Sequence, residues 1–392
     1  MGNERWILPE GIDEMLPPQS GALEKLRRDL LDLYDRWGYE LVIPPFVEFL
    51  DSLLTGTGSD LDLQTFKLTD QMSGRLMGVR ADITPQAARI DARQLGWEGP
   101  TRLCYLGTVL HTRGDGFAGS RSPLQIGAEI YGHAGPESDV EILSLMLRSL
   151  EMAGINELSL DLGHVGIFRG LSRQAGLAAD QERALFDALQ RKAIPEIEEL
   201  VARFRIDPAI ARMLETLAEL NGDHALSEAR RRLADANAEV QAALDYLQRT
   251  AELVAAWLPD TPVHFDLAEL RGYHFHTGVV FAAFVPGLGQ EIARGGRYDH
   301  IGEVFGRARP ATGFSTDLKT LLRLGNRPQA ESAPTVFAPW SPDPALRHRI
   351  EDLREQGLRV VRGLPGQAQG AAEMGCNRVL VQRGGNWELA PV

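Results

Sequence analysis

The chain has 392 residues, 41 of them Lys or Arg and 54 Asp or Glu; the formal net charge of −13 disfavours broad binding to polyanions. A hydrophobic share of 44% with 24% charged residues is that of a globular chain with a sizeable core and more than one domain. The two cysteines, Cys104 and Cys376, are far apart and lack ligand spacing, which argues against a disulfide framework or a zinc site and fits a reducing compartment. The N-terminal residues carry no apolar signal segment and no myristoylation signal. The longest apolar stretch, 279–285, is too short for a bilayer, so a cytoplasmic protein is expected.

Ser20 stands as an N-cap before Leu23, Leu26, Leu30, Leu33, Tyr34 and Trp37, which recur at helical spacing until Gly38 offers a stop. Residues 39–43 then read as a strand ended by Pro44 and Pro45. Further strands are expected over 75–79, 102–106 and 124–131, several joined too tightly for helical crossovers, so the sheet should be antiparallel. A second long helix is expected over about 136–152, closed by Gly154, and a strand over 157–162. From about 170 to 260 the chain is rich in Ala, Leu, Arg and Glu, with breaks at Pro195, Pro208 and Asn221-Gly222. That stretch reads as an all-helical insertion. Strand signals return at 263–267, 278–284 and 290–293, and a helix is expected over about 316–324. Residues 326–334 have linker composition. Beyond them, 335–392 read as a small α/β module, with strands at 335–338, 358–361 and 378–382 and a helix at 344–356.

Several side chains on these elements have two readings. Asp82 and Thr84 lie two apart and can receive an ammonium group, or can simply cap the helix that Pro85 starts. Gln125 and Glu129 share one face of a strand whose other face carries Ile126, Ala128 and Ile130; they are either solvated or line a polar pocket. Arg271, beside the apolar 279–284, calls for an anionic partner such as a carboxylate. His274 and His276 alternate on a strand, but no third ligand follows by spacing, so His276 reads as a polar pocket wall and no metal site is expected. The segment 295–299, Gly295-Gly296-Arg297-Tyr298-Asp299, can bring backbone close to a ligand or can be only a tight turn.

Together and in this order the blocks resemble class II aminoacyl-tRNA synthetases, most closely the histidyl-tRNA synthetases, over residues 8–324. Residues 8–17 look like that family's N-terminal segment. The helix ending at Gly38, with 39–48, looks like the dimer-forming first motif, 102–132 like the second and 313–321 like the third. The resemblance implies an α+β fold: an antiparallel synthetase-like sheet flanked by helices over 1–325, with the insertion at about 170–260, a linker at 326–334 and the small domain at 335–392. It also implies a histidine-binding set of Asp82, Thr84, Gln125, Glu129, Arg271 and Tyr298, with Phe275 and His276 where tyrosines are usual.

The departures point to regulation. His111 and Arg113 stand where the second motif has an arginine for the ATP α-phosphate and a glutamate two residues later. Thr320 replaces the third-motif arginine, Lys319 an acidic residue, and Asp317 a glycine beside the nucleotide. Adenylation needs positioned cations against concentrated negative charge, so the site is expected to be catalytically silent, with no cofactor. This pattern resembles the regulatory-subunit family of ATP phosphoribosyltransferase. It implies a short-form catalytic subunit as partner, a dimer of this chain within a hetero-oligomer, L-histidine as allosteric ligand, and feedback control of the first step of histidine biosynthesis. An active histidyl-tRNA synthetase is the alternative, opposed by the missing arginines, the short tail and the negative charge. A nucleic-acid-binding relative is the other, opposed by the isolation of Arg230-Arg231-Arg232 between Glu228 and Asp235.

Overall fold

A computed structural model describes residues 7–55, 59–114, 120–268, 272–273, 275–327 and 334–392, with the backbone alone at 59 and 60. The chain forms two compact units, Met1–Asn326 and Arg327–Val392.

The first unit is built on eight strands: β1 Glu40–Val42, β2 Thr101–Thr108, β3 Leu124–Tyr131, β4 Ser159–His164, β5 Val263–Phe265, β6 Val279–Phe284, β7 Ala293–Arg297 and β8 Ala311–Asp317. Their order across the sheet is β1-β2-β3-β8-β7-β6-β4-β5. The six central strands pair antiparallel, while β1 joins β2 and β5 joins β4 in parallel. The sheet is therefore mixed at both edges, which short-connection reasoning missed because β1 and β5 are only three residues long. The strand expected at 75–79 lies elsewhere. Leu76–Val79 pairs with Val47–Phe49 and Phe66–Thr69 in a separate three-stranded sheet.

The helix Gln19–Arg36 begins after Pro18 without a side-chain cap, so Ser20 lies inside it rather than at its cap. Gly38 does end it: its φ is +81°, a conformation glycine adopts without penalty, and its N–H donates to Asp35 O at 2.9 Å. The apolar stripe of this helix, Leu23, Leu26, Leu30, Leu33 and Tyr34, is consumed by the chain's own core. It packs with Ile126, Ala128 and Ile130 of β3 and with Ile142, Met146 and Leu150 of the helix Pro136–Met152. Each such side chain contributes about 1.5–3 kcal/mol by leaving water. Apolar surface is instead exposed beside the edge strand, at Leu41, Ile43 and Phe46.

Six helices form the insertion: Val165–Gln174, Ala179–Gln190, Ile194–Arg203, Pro208–Leu217, Ala225–Arg232 and Ala238–Trp257. The last is tied to the sheet unit by Tyr246, whose hydroxyl bonds Asp139. Asp139 in turn pairs with Arg297 at 3.1 Å, both side chains being almost wholly buried. The second unit has strands in the order 359–362, 335–338, 378–383, 386–391 around the helix Pro344–Glu355, with Val336, Leu346, Ile350, Leu353 and Leu380 inside. Its last hairpin went unread in the sequence, although Gly384 and Gly385, both at positive φ, mark the turn. No helix among the described residues is long and apolar enough to cross a membrane.

Candidate functional site

β3 carries out the alternation read from its sequence. Ile126, Ala128 and Ile130 face the helical core, and Gln125 and Glu129 face a cavity of about 950 Å³. Glu129 is 1% exposed and accepts hydrogen bonds from Tyr105 at 2.9 Å and from Tyr298. The Thr84 hydroxyl shares a hydrogen bond of 2.9 Å with the Tyr105 hydroxyl. Burial pushes the Glu129 carboxyl up to about 8, against the lowering effect of the two tyrosine hydrogen bonds. The carboxyl is thus held mainly in its neutral form at neutral pH.

Asp82 makes local contacts at the start of the helix and also lines the cavity. Its Oδ1 accepts the Thr84 N–H at 3.0 Å, as a local cap does, and the Gln125 amide at 2.8 Å, while the residue lines the cavity. The Gln125 carbonyl oxygen in turn accepts from Ile83 N–H at 2.9 Å, locking helix Thr84–Ile90 to β3. The arginines of the same block face elsewhere. Arg80 donates to the carbonyls of Thr108 and Pro44, both at 2.9 Å, and Arg89 pairs with Glu48 at 2.6 Å.

The wall opposite comes from Gly272, Tyr273, Phe275 and His276 and from β7. Arg169 donates to the carbonyl oxygens of Tyr273 and His276, each at 3.0 Å, and so fixes that turn. Burial lowers the His276 imidazole to about 4, leaving it neutral beside Arg297 O. Phe275 stacks on Tyr298 with ring centroids 4.9 Å apart. Gly295 and Gly296 lie inside β7, not in a tight turn. A β-carbon on the first would meet the Phe281 ring, and one on the second Val279 O and the His276 ring. The cavity gathers Asp82, Thr84, Gln125, Glu129, His276 and Tyr298. Arg271 and His274 lie outside the described residues.

Sequence reasoning missed two supports. Tyr105 of β2 sits opposite Gly127 of β3, and its hydroxyl occupies the space a Gly127 side chain would take. Gly313 of β8 sits opposite Glu129, where any β-carbon would collide with Oε2. Both glycines make room for the acid; two glycines opposite bulky or charged partners were the available signal.

The residues that the resemblance places beside the nucleotide make local contacts. Asp317 is not a free charge beside a ligand, as its replacement of a glycine suggested. It caps the helix Leu318–Leu324, accepting from Lys319 N (3.2 Å), Thr320 N (3.1 Å) and the Thr320 hydroxyl (2.8 Å), and also from Leu124 N (2.9 Å). Lys319 reaches Asp13 at 3.2 Å and Ser122 O at 2.8 Å. His111 is buried with Nε2 donating to Ala81 O at 2.9 Å, and Arg113 is exposed. Arg121, which the sequence reading passed over, donates to His111 O and Glu10 O, both at 3.0 Å. Lys319 and Arg121 are thus engaged with the protein itself.

The mixed sheet, its six central strands antiparallel, and the acid-floored cavity beside it define a class II synthetase-like domain. A sequence model of histidyl-tRNA synthetases matches residues 11–321, and one of the ATP phosphoribosyltransferase subunit HisZ C-terminal domain matches 333–390. The chain is 61% identical over 381 residues to an ATP phosphoribosyltransferase regulatory subunit of Thioalkalivibrio sulfidiphilus, covering 97% of this chain and 96% of the relative. It is 59% identical to one of Alkalilimnicola ehrlichii, covering 100% and 98%. Among solved structures, an ATP phosphoribosyltransferase regulatory subunit/histidyl-tRNA synthetase from Bacillus halodurans superposes with a TM-score of 0.82 at 25% identity, covering 94% of this chain and 96% of that one. A histidyl-tRNA synthetase from a Nostoc species shares the fold, with a TM-score of 0.78 at 18% identity and 96% and 91% coverage. The chain belongs to the family of ATP phosphoribosyltransferase regulatory subunits. It is accordingly a non-catalytic, regulatory component of histidine biosynthesis.

Proposed function

We propose that the cavity takes free L-histidine as an allosteric ligand, and that its occupancy inhibits a short-form catalytic subunit which this chain also completes for activity. The observation that carries the reading is the fully enclosed Glu129, held by Tyr105 and Tyr298 beside Asp82 and Thr84. A buried carboxyl in a polar cavity is costly unless it serves a positive partner, and an amino acid's ammonium or imidazole end is such a partner. A coupling of about 1–3 kcal/mol between the pocket and the catalytic partner suffices for feedback. The test is co-expression with a short-form ATP phosphoribosyltransferase, size exclusion, and assay with and without histidine. Co-elution, activity dependent on this chain and inhibition by histidine are expected; activity indifferent to histidine in an intact complex contradicts the reading.

The same proposal includes a dimer of this chain inside the hetero-oligomer. Because the stripe of helix Gln19–Arg36 is turned inward, the surface for it is the exposed edge at Leu41, Ile43 and Phe46. Sedimentation that finds only monomer at rising concentration rules this out.

A further inference from the structure

Four lining residues of the cavity, Arg183, Phe186, Asp187 and Gln190, come from the insertion helix Ala179–Gln190. They are spaced i, i+3, i+4, i+7, so one face of that helix forms a wall of the pocket. The wall is held in place: Phe186 packs on Tyr273 with ring centroids 5.1 Å apart, and the Tyr273 hydroxyl bonds Glu182 on the same helix. Arg169, from the preceding insertion helix, grips the backbone of the same turn. The cavity is therefore lined from two sides, by the sheet and by the insertion.

Their charges differ. The sheet side presents Asp82, Glu129, Glu291 and Asp317, and its Arg294 lies 3.3 Å from Glu291. Arg183 is exposed, and it makes no hydrogen bond or ion pair with any described residue, Asp187 one turn on included. A zwitterion whose ammonium end sits on Glu129 needs a cation for its carboxylate, and a guanidinium fork matches that group.

We propose that Arg183 binds the α-carboxylate of the ligand from the insertion side, so that a bound amino acid bridges sheet and insertion and reports occupancy to both. The inference rests on the histidine reading of the pocket. It assigns the preference for a free carboxylate to a residue outside the synthetase-like motifs, alongside Arg271.

Calorimetry with L-histidine, and thermal shift with histamine, which lacks the carboxylate, test this on the full chain and on Arg183→Met. Because Arg183 is exposed and unpaired, the unliganded variant should melt with the wild type. Its affinity for L-histidine should fall at least about tenfold, with the histamine response unchanged and Arg183→Lys intermediate. L-histidine affinity within about twofold of wild type, or equal losses for both ligands, overturns the assignment. A wild-type chain that binds no L-histidine overturns the reading of the pocket itself, and the bridge falls with it.

Discussion

Glu129→Gln is expected to move histidine inhibition of the assembled enzyme to concentrations tens-fold higher or more, with assembly and uninhibited activity unchanged. The carboxyl is 1% exposed and bonded by Tyr105 and Tyr298, so the amide fits the same space; it removes the negative charge and turns one tyrosine hydroxyl from donor to acceptor. Losing one member of a buried charge pair costs about 2–5 kcal/mol, and each 1.4 kcal/mol is tenfold. Arg271→Ala is expected to act in the same direction at the carboxylate end. The variant also carries a pH signature. Burial raises Glu129 to about 8 from an unfolded value of 4.5, so the empty pocket at neutral pH holds mainly the neutral acid. An arriving ammonium favours the ionised form, so histidine binding releases a proton and tightens as pH rises through about 8, and Glu129→Gln flattens that rise. For the unliganded fold the sign is opposite. A raised pKa contributes stability that is complete below 4.5 and is lost as pH rises through about 8, so wild type should lose more melting temperature over that window than the variant. Inhibition curves and melting scans read both effects. Wild-type histidine sensitivity in Glu129→Gln and in Arg271→Ala, with intact folding, would mean that histidine acts elsewhere.

Purified alone, the chain is expected to give no histidine-dependent exchange between ATP and pyrophosphate, and no phosphoribosyl transfer. Removing one positioned donor or cation from a site that stabilises developing charge costs about 10²–10³ in rate, and two arginine positions are changed here. Two cations nearby are already engaged: Lys319 is held by Asp13 and Ser122, and Arg121 by backbone oxygens. Asp317 adds a carboxylate committed to its helix cap. Exchange at ordinary enzyme rates that an Asp82→Ala control abolishes would refute this argument.

What the sequence disclosed was mostly what periodicity and motif order encode. The parity of β3 put Gln125 and Glu129 on one face and Ile126, Ala128 and Ile130 on the other; the structure makes the first the cavity face and the second the core. The insertion declared itself by helical composition. Register hid the rest. Tyr105 reaches Glu129 only because β2 and β3 pair Leu103 with Glu129 and Tyr105 with Gly127, and nothing local to Tyr105 states that pairing. Gly295 and Gly296 looked like a turn because glycine is common in turns, whereas here they admit neighbouring rings and carbonyls to a central strand. The first helix has the stripe of a partner-seeking helix, and only the three-dimensional packing reveals that its own sheet satisfies it. Asp317 was read by its charge, while its place at a strand-to-helix junction makes it a cap.

The most direct test of the central claim is equilibrium dialysis of labelled L-histidine against this chain alone, without any catalytic subunit. A pocket built within one chain predicts saturable binding of one histidine per chain, unaffected by ATP and weakened by Glu129→Gln. Histidine binding that appears only when the catalytic subunit is added, or that ATP displaces, would contradict it.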